Sequence, residues 1–84
     1  IAPLIKKALD EAEEAFKKGE TKAEILKKKV EQIINSSPLF KIDYVEIVDT
    51  ENFNPVDEVS SESLLAVAAF LGKTRLIDNL ILKK

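Results

Sequence analysis

The sequence predicts an α+β domain in which an N-terminal antiparallel helix pair packs on a three-stranded antiparallel sheet. In the first 35 residues, apolar side chains recur at three- and four-residue steps, which is typical of amphipathic helices. From residue 40 onward, the apolar runs are shorter and are separated by turn residues, which is typical of strands. Because helices and strands are segregated along the chain, the pattern favours α+β over α/β. With 84 residues, the chain is predicted to form a single domain spanning 1–84.

The first helix is predicted over Ile1–Lys18. Pro3 suits its first turn, and Gly19 is placed as the residue just past its end. Its apolar stripe consists of Leu4, Ile5, Ala8, Leu9, Ala12, Ala15 and Phe16.

A second helix is predicted to begin after Thr21 and to end near Asn35. Thr21 and Glu24 have the spacing of a capping box, in which each side chain bonds a backbone amide of the other. Pro38 disfavours continuation of the helix. The stripe consists of Ala23, Leu26, Val30, Ile33 and Ile34, with Ile25 at its edge. The short connection between the helices predicts that they are antiparallel.

The first strand is predicted over Phe40–Asp49. Strict alternation places Asp43, Val45, Ile47 and Asp49 on one face, and Ile42, Tyr44, Glu46 and Val48 on the other. Two further strands, Leu64–Leu71 and Leu76–Leu82, flank the two-residue turn Gly72-Lys73 and predict a hairpin.

The Leu64–Leu71 run is predicted to be the central strand because it is apolar on both faces. A strand of this kind must be covered on both sides. The helix pair can cover one side. The connection Thr50–Ser63 carries the apolar residues Phe53, Val56 and Val59, which are predicted to anchor it and to cover part of the other side. The uncovered remainder of that second side is predicted to be a docking surface for a part of the protein outside this chain.

Composition excludes several classes of function. The chain has no Cys and no His, so thiolate chemistry and an ordinary Ser–His hydrolase are excluded. Gly19 and Gly72 are the only glycines, so no glycine-rich phosphate loop exists. The net charge of -2 gives no general attraction to nucleic acid or anionic membranes. Because the chain starts at Ile1 and contains no Met, we expect it to be a piece of a longer protein.

Three groups of polar residues are candidates for sites. Asp43, Glu46 and Asp49 do not converge in a regular strand, so a metal site is not predicted there. Arg75, Asp78 and Asn79 interrupt an apolar strand. They are expected to bond a neighbouring backbone group or cross-strand partner, with an interdomain contact as the main alternative and direct catalysis as the least favoured one. The basic cluster is predicted to be a solvated helix face with local ion pairs, with anion binding as the alternative. It consists of Lys17, Lys18, Lys22, Lys27, Lys28 and Lys29.

Four segments resemble the C-terminal domain of the pantoate–β-alanine ligase (pantothenate synthetase) family. They are Lys41–Asp49 (KIDYVEIVD), Asn52–Val56 (NFNPV), Leu65–Ala69 (LAVAA) and Gly72–Asn79 (GKTRLIDN), in that order, after a helix pair. The resemblance covers essentially all 84 residues. The first and last segments are specific, whereas the helix pair alone would not be.

The resemblance implies an enzyme with a separate N-terminal nucleotide-binding domain that binds ATP, Mg²⁺ and pantoate. That enzyme forms pantoyl adenylate and pyrophosphate, and β-alanine then attacks to give pantothenate and AMP. The C-terminal domain is implied to act as a lid. No position of this chain matches the family's catalytic or ligand residues, so no catalytic, substrate-binding or metal residue is assigned.

This resemblance also implies a cytoplasmic protein without nucleic-acid or membrane partners, and a chain that is inactive alone and holds no cofactor. Lys73 and Arg75 are the residues expected to contribute to lid closure. The alternative interpretation is a free-standing module without catalytic activity that dimerises through an uncovered sheet surface or edge.

Overall fold

The computed structural model, which describes residues 3–59 and 62–83, contains two helices followed by three strands. The strand order in the antiparallel sheet is β1-β2-β3, so β2 is central, as predicted. The predicted α+β class is therefore confirmed; the predicted helix start at Ile1 and Ala2 lies outside the described residues. The elements are α1 (Pro3–Lys17), α2 (Ala23–Asn35), β1 (Phe40–Asp49), β2 (Ser63–Leu71) and β3 (Thr74–Leu82).

Helix α1 ends where the glycine predicts. Gly19 has φ 113°, a region that side chains with a Cβ rarely adopt. The amide of Glu20 donates to the carbonyl of Ala15, and the amide of Gly19 donates to the carbonyl of Phe16, both at 3.0 Å. This pair of bonds is the Schellman motif, and it turns the chain sharply into α2.

The predicted capping box at the start of α2 is wrong. The N-cap is Lys22, and it makes no side-chain cap bond. The hydroxyl of Thr21 instead donates to Oε2 of Glu58 at 2.9 Å. Glu24 forms an ion pair with Lys28, at 3.4 Å, one turn further along the helix. The side chains that match a capping box in sequence therefore have other partners.

Backbone groups of a distant loop take over the capping role. The amide of Ala23 donates to the carbonyl of Asp57 at 2.9 Å, and the amide of Val59 donates to the carbonyl of Thr21 at 2.7 Å. A first-turn amide that a helix cannot satisfy internally thus obtains a tertiary partner. The same bonds fix the loop against the turn between the helices, and Val59 is fully buried there.

The core lies between the helix pair and one face of the sheet. Leu65, Val67 and Ala69 of β2 are completely buried and contribute to it. The helix residues in this core are the predicted stripes with few exceptions: Ile5, Ala8, Leu9, Ala12, Phe16, Ala23, Leu26, Val30 and Ile34. Ile25, predicted at the stripe's edge, is 46% exposed.

Strand β1 departs from strict alternation. Ile42 pairs with Ala69, but Tyr44 pairs with the adjacent residue Ala68, so Asp43 is an extra residue in a β-bulge. Ile42 packs against the same core as Val45. The prediction that Ile42 lies on the opposite face from Val45, and Asp43 on the same face, is therefore wrong, because a bulge shifts the alternation by one residue.

The connection between β1 and β2, as far as its described residues 50–59 and 62 show, follows the outer edge of β1 and does not cover the second face of the sheet. Pro55 bridges to Val48, and the amide of Val56 donates to the carbonyl of Ile47 at 3.1 Å. Val56 and Val59 pack in the core, as expected of anchors. Phe53 was predicted as a third anchor, and this is wrong: it is 67% exposed, at φ 58°.

The different environments of two phenylalanines can be tested by truncation. Phe16→Ala should lower the free energy of unfolding by about 3–5 kcal/mol, because it leaves a cavity in the core. Phe53→Ala should change it by less than about 1 kcal/mol, because the ring is mostly hydrated already. Chemical denaturation of the two variants measures the difference. If the two variants lose equal amounts of unfolding free energy, Phe53 anchors the loop after all.

Candidate functional site

The face of the sheet opposite the helices is uncovered by the described residues and is largely apolar. We call it the open face. Register places one β2 residue in each of its rows, flanked by residues of β1 and β3. Its apolar members are Tyr44, Val48, Leu64, Ala66, Ala68, Phe70, Ile77 and Ile81. Ile77 is 56% exposed and Ile81 is 40% exposed, although both are large aliphatic side chains.

An arginine crosses the open face from one edge strand to the other. Arg75 lies on β3 opposite Phe70, yet its Nε and Nη2 atoms lie 3.0 and 2.9 Å from Oδ2 of Asp43 on β1. Its guanidinium also lies over the ring of Tyr44, 5.8 Å from the centroid. The contact therefore spans the central strand and combines an ion pair with a cation–π interaction.

The bulge in β1 makes this contact possible. In a regular strand, Asp43 and Tyr44 would point to opposite faces, and Arg75 could not reach both. With the extra residue, both contact Arg75 on the open face. The sequence contains one signal for it: the core residues Ile42, Val45 and Ile47 are spaced three and then two apart, which a strand can accommodate only with a bulge.

The remaining polar residues of β3 are exposed on an edge strand. Asp78 accepts a bond at Oδ1 from the amide of Asn79 at 2.8 Å. Asn79 lies opposite Ala66, on the open face. Lys73 is exposed in the two-residue turn, whose Gly72 has φ 63°. The structure thus places Arg75 and Asn79 on one face and Asp78 on the other.

The lysine-rich cluster carries the predicted local ion pairs. Lys18 lies 3.2 Å from Glu14, and Lys28 lies 3.4 Å from Glu24. A depression of about 170 Å³ between the helices is lined by Glu11, Glu14, Ala15, Lys18 and Lys29. Because acidic and basic groups alternate there, the depression has no excess positive charge with which to select an anion.

A second depression, of about 520 Å³, lies at the start of β1, between the turn that follows α2 and the β2–β3 turn. Its lining includes Leu39, which is 70% exposed, together with Asp43 and Phe70 from the open face. It therefore extends the open face beyond the Arg75–Asp43 pair.

Within residues 3–59 and 62–83, carboxylates do not gather in groups of three that could hold a metal ion. Asp43 is paired with Arg75, and Asp49 accepts a bond from the amide of Glu51 at 2.7 Å. In the same part of the chain, neither helix is long and apolar enough to cross a membrane.

Comparison with known proteins identifies the family. The model of the pantoate–β-alanine ligase family matches residues 1–81. The chain belongs to this family. The pantothenate synthetase of Clostridioides difficile strain 630 is 47% identical over 78 residues, which is 93% of this chain and 28% of the relative. That of a Sulfurihydrogenibium species is 48% identical over 77 residues, covering 90% of this chain and 28% of the relative.

A solved structure supports the same assignment for the fold. The crystal structure of the pantothenate synthetase of Thermus thermophilus superposes with a TM-score of 0.88 at 28% sequence identity. The match covers 99% of this chain and 30% of that one. The chain therefore spans less than a third of the length of these pantoate–β-alanine ligases, and it matches their C-terminal region.

The interaction between Arg75 and Asp43 should contribute little to stability. Exposed ion pairs typically contribute about 0.2–1 kcal/mol, and these side chains are 43% and 39% exposed. A double-mutant cycle of Arg75→Ala and Asp43→Ala, followed by denaturation, should give a coupling energy in this range, weakening at about 1 M salt. A coupling above about 2 kcal/mol would contradict this, and would make Arg75 a structural residue.

Proposed function

We propose that this chain is the C-terminal lid of a pantothenate synthetase, an ATP-dependent ligase that condenses pantoate with β-alanine. The match of residues 1–81 to the pantoate–β-alanine ligase family carries the proposal. In this reaction, the pantoate carboxylate displaces pyrophosphate from ATP and forms pantoyl adenylate. The amine of β-alanine then attacks the acyl carbon, which yields pantothenate and releases AMP.

The described residues do not fit a site for ATP or Mg²⁺. The only two glycines, Gly19 and Gly72, lie in separate turns and so cannot form a loop around phosphates. Carboxylates of the described part do not form a cluster suited to a divalent cation. We therefore assign ATP, Mg²⁺ and pantoate to an N-terminal nucleotide-binding domain of the same enzyme, and derive no chemical step from this chain.

A lid without catalytic groups can still determine the outcome of the reaction. An acyl adenylate reacts with water as well as with an amine, and hydrolysis returns pantoate and AMP. Closure over the intermediate excludes water and holds it for the amine. An apolar surface suits this role, since it can be buried and released at modest cost. The open face of this domain has that character.

The first test concerns activity. The full-length protein encoded by this reading frame should form equal amounts of AMP and pantothenate from ATP, pantoate and β-alanine. The 84-residue chain alone should form neither, because it lacks groups for adenylation. Circular dichroism should accompany the assay to show that the chain is folded. AMP formation by the purified chain would refute the proposal.

The second test concerns closure. In the full-length enzyme, Arg75→Ala and Lys73→Ala should lower turnover and should raise the ratio of AMP to pantothenate severalfold, because water gains access to the adenylate. Lys6→Ala is the matched control, since Lys6 is an exposed cation on α1 that also pairs with a carboxylate, at 3.9 Å. If Arg75→Ala only lowers the melting temperature, the arginine is structural.

A further inference from the structure

The open face contains two apolar rows, Tyr44–Ala68–Ile77 and Val48–Leu64–Ile81, with Ala66 of the central strand between them. Five large apolar side chains of the described residues are conspicuously exposed, and two of them, Ile77 and Ile81, lie on this face on either side of Asn79. Single exposed apolar residues are ordinary, but a patch that runs across all three strands marks a recognition surface. The helix pair already occupies the other face, so this is the free face of the sheet.

We propose that the open face, centred on Ile77 and Ile81, is the surface by which this domain docks on the remainder of its own polypeptide. The inference rests on the proposed lid function and specifies the contact through which the lid closes. The relatives' length makes such an occupant available, since the chain spans only 27–29% of the pantothenate synthetases it matches.

The size of the face favours a covalently linked occupant. Nine residues of β2 at about 3.3 Å each, and three strands about 4.8 Å apart, give a face of roughly 400 Å². Interdomain contacts within one chain bury about 300–750 Å² on each side. Stable complexes between separate proteins bury about 800 Å² per partner. The face is therefore adequate for a tethered domain, whose effective concentration is high, and small for a free second copy.

The polar groups on the face suit a contact that opens and closes. Arg75 already has its carboxylate partner within the domain, so removal of water on docking would leave no unpaired charge there. Glu46 and Asn79 flank Ala66 in the middle of the face and are both exposed. The part of the polypeptide that docks on the open face should therefore offer a hydrogen-bond donor opposite Glu46.

Thiol labelling of the full-length protein tests the contact directly. Ile77→Cys and Ile25→Cys form a matched pair, because the two isoleucines are 56% and 46% exposed and belong to the sheet and to the helix layer respectively. Any other cysteines of the protein are replaced by serine. We expect Cys at position 77 to react with a maleimide at least tenfold more slowly than Cys at position 25. Its protection should increase when ATP and pantoate are added.

Each alternative outcome is distinguishable. If Cys at position 77 and Cys at position 25 react at equal rates, both with and without ATP and pantoate, the proposal is overturned. Slow labelling at position 25 alone would place the contact on the helices, and would leave the lid function standing. Protection at position 77 that disappears on dilution would identify a second copy as the occupant, since contact within one chain is independent of concentration. This readout does not require activity, so it also separates the docking face from the ligase assignment.

A substitution that preserves the fold completes the test. Ile77→Glu should raise the ratio of AMP to pantothenate at least tenfold, because a charge on the open face opposes closure. Ile25→Glu should leave the ratio unchanged. Thermal unfolding of both variants controls for stability. If both variants keep a ratio of one, Ile77 takes no part in docking.

Discussion

The central strand must be covered on both of its faces, and most of the architecture depends on this constraint. Every residue from Leu64 to Leu71 is apolar, so water on either side would be costly. The helix pair covers one side and completes the core around Leu65, Val67 and Ala69, all fully buried. The other side keeps a row of small residues, Ala66 and Ala68, between larger neighbours on the edge strands. A domain built in this way leaves one apolar sheet face available for the docking proposed above.

The paired charges of Arg75 and Asp43 on the open face need not oppose such packing. The bulge at Asp43 brings a carboxylate to the same face as Arg75, and the arginine extends across β2 to meet it. Its stacking over Tyr44 leaves part of the guanidinium against an aromatic ring. The pair should thus contribute more to the orientation of the arginine than to the stability of the domain.

The proposed lid role and a catalytic role make different demands on sequence. The chain has no histidine, and its described carboxylates do not form a cluster of three or more. Its main features are instead a well-packed core and the largely apolar open face. In the ligase reaction proposed above, shielding the adenylate is as necessary as forming it, and a separate domain can do this without chemistry of its own.

Much of this fold could be predicted from the sequence because it depends on interactions between residues close together in the chain. The periods of the helices and strands, the glycines that end α1 and form the hairpin turn, and the central position of β2 all depend on residues a few positions apart. The family could also be recognised from short strand segments. The candidate surface could be predicted only in outline, as the part of the sheet left uncovered.

Other features depend on contacts between distant residues. The predicted capping box does not form because the hydroxyl of Thr21 donates to Glu58, 37 positions away, and the amide of Ala23 donates to a loop carbonyl. Phe53 is exposed because its loop follows the edge of β1. The alternation of β1 shifted at a bulge, and Arg75 met Asp43 across 32 positions. The elements and their apolar faces follow from local geometry, so the order of residues was enough to specify them. Which polar groups meet was settled by folding, because that choice depends on where the folded chain brings competing partners together.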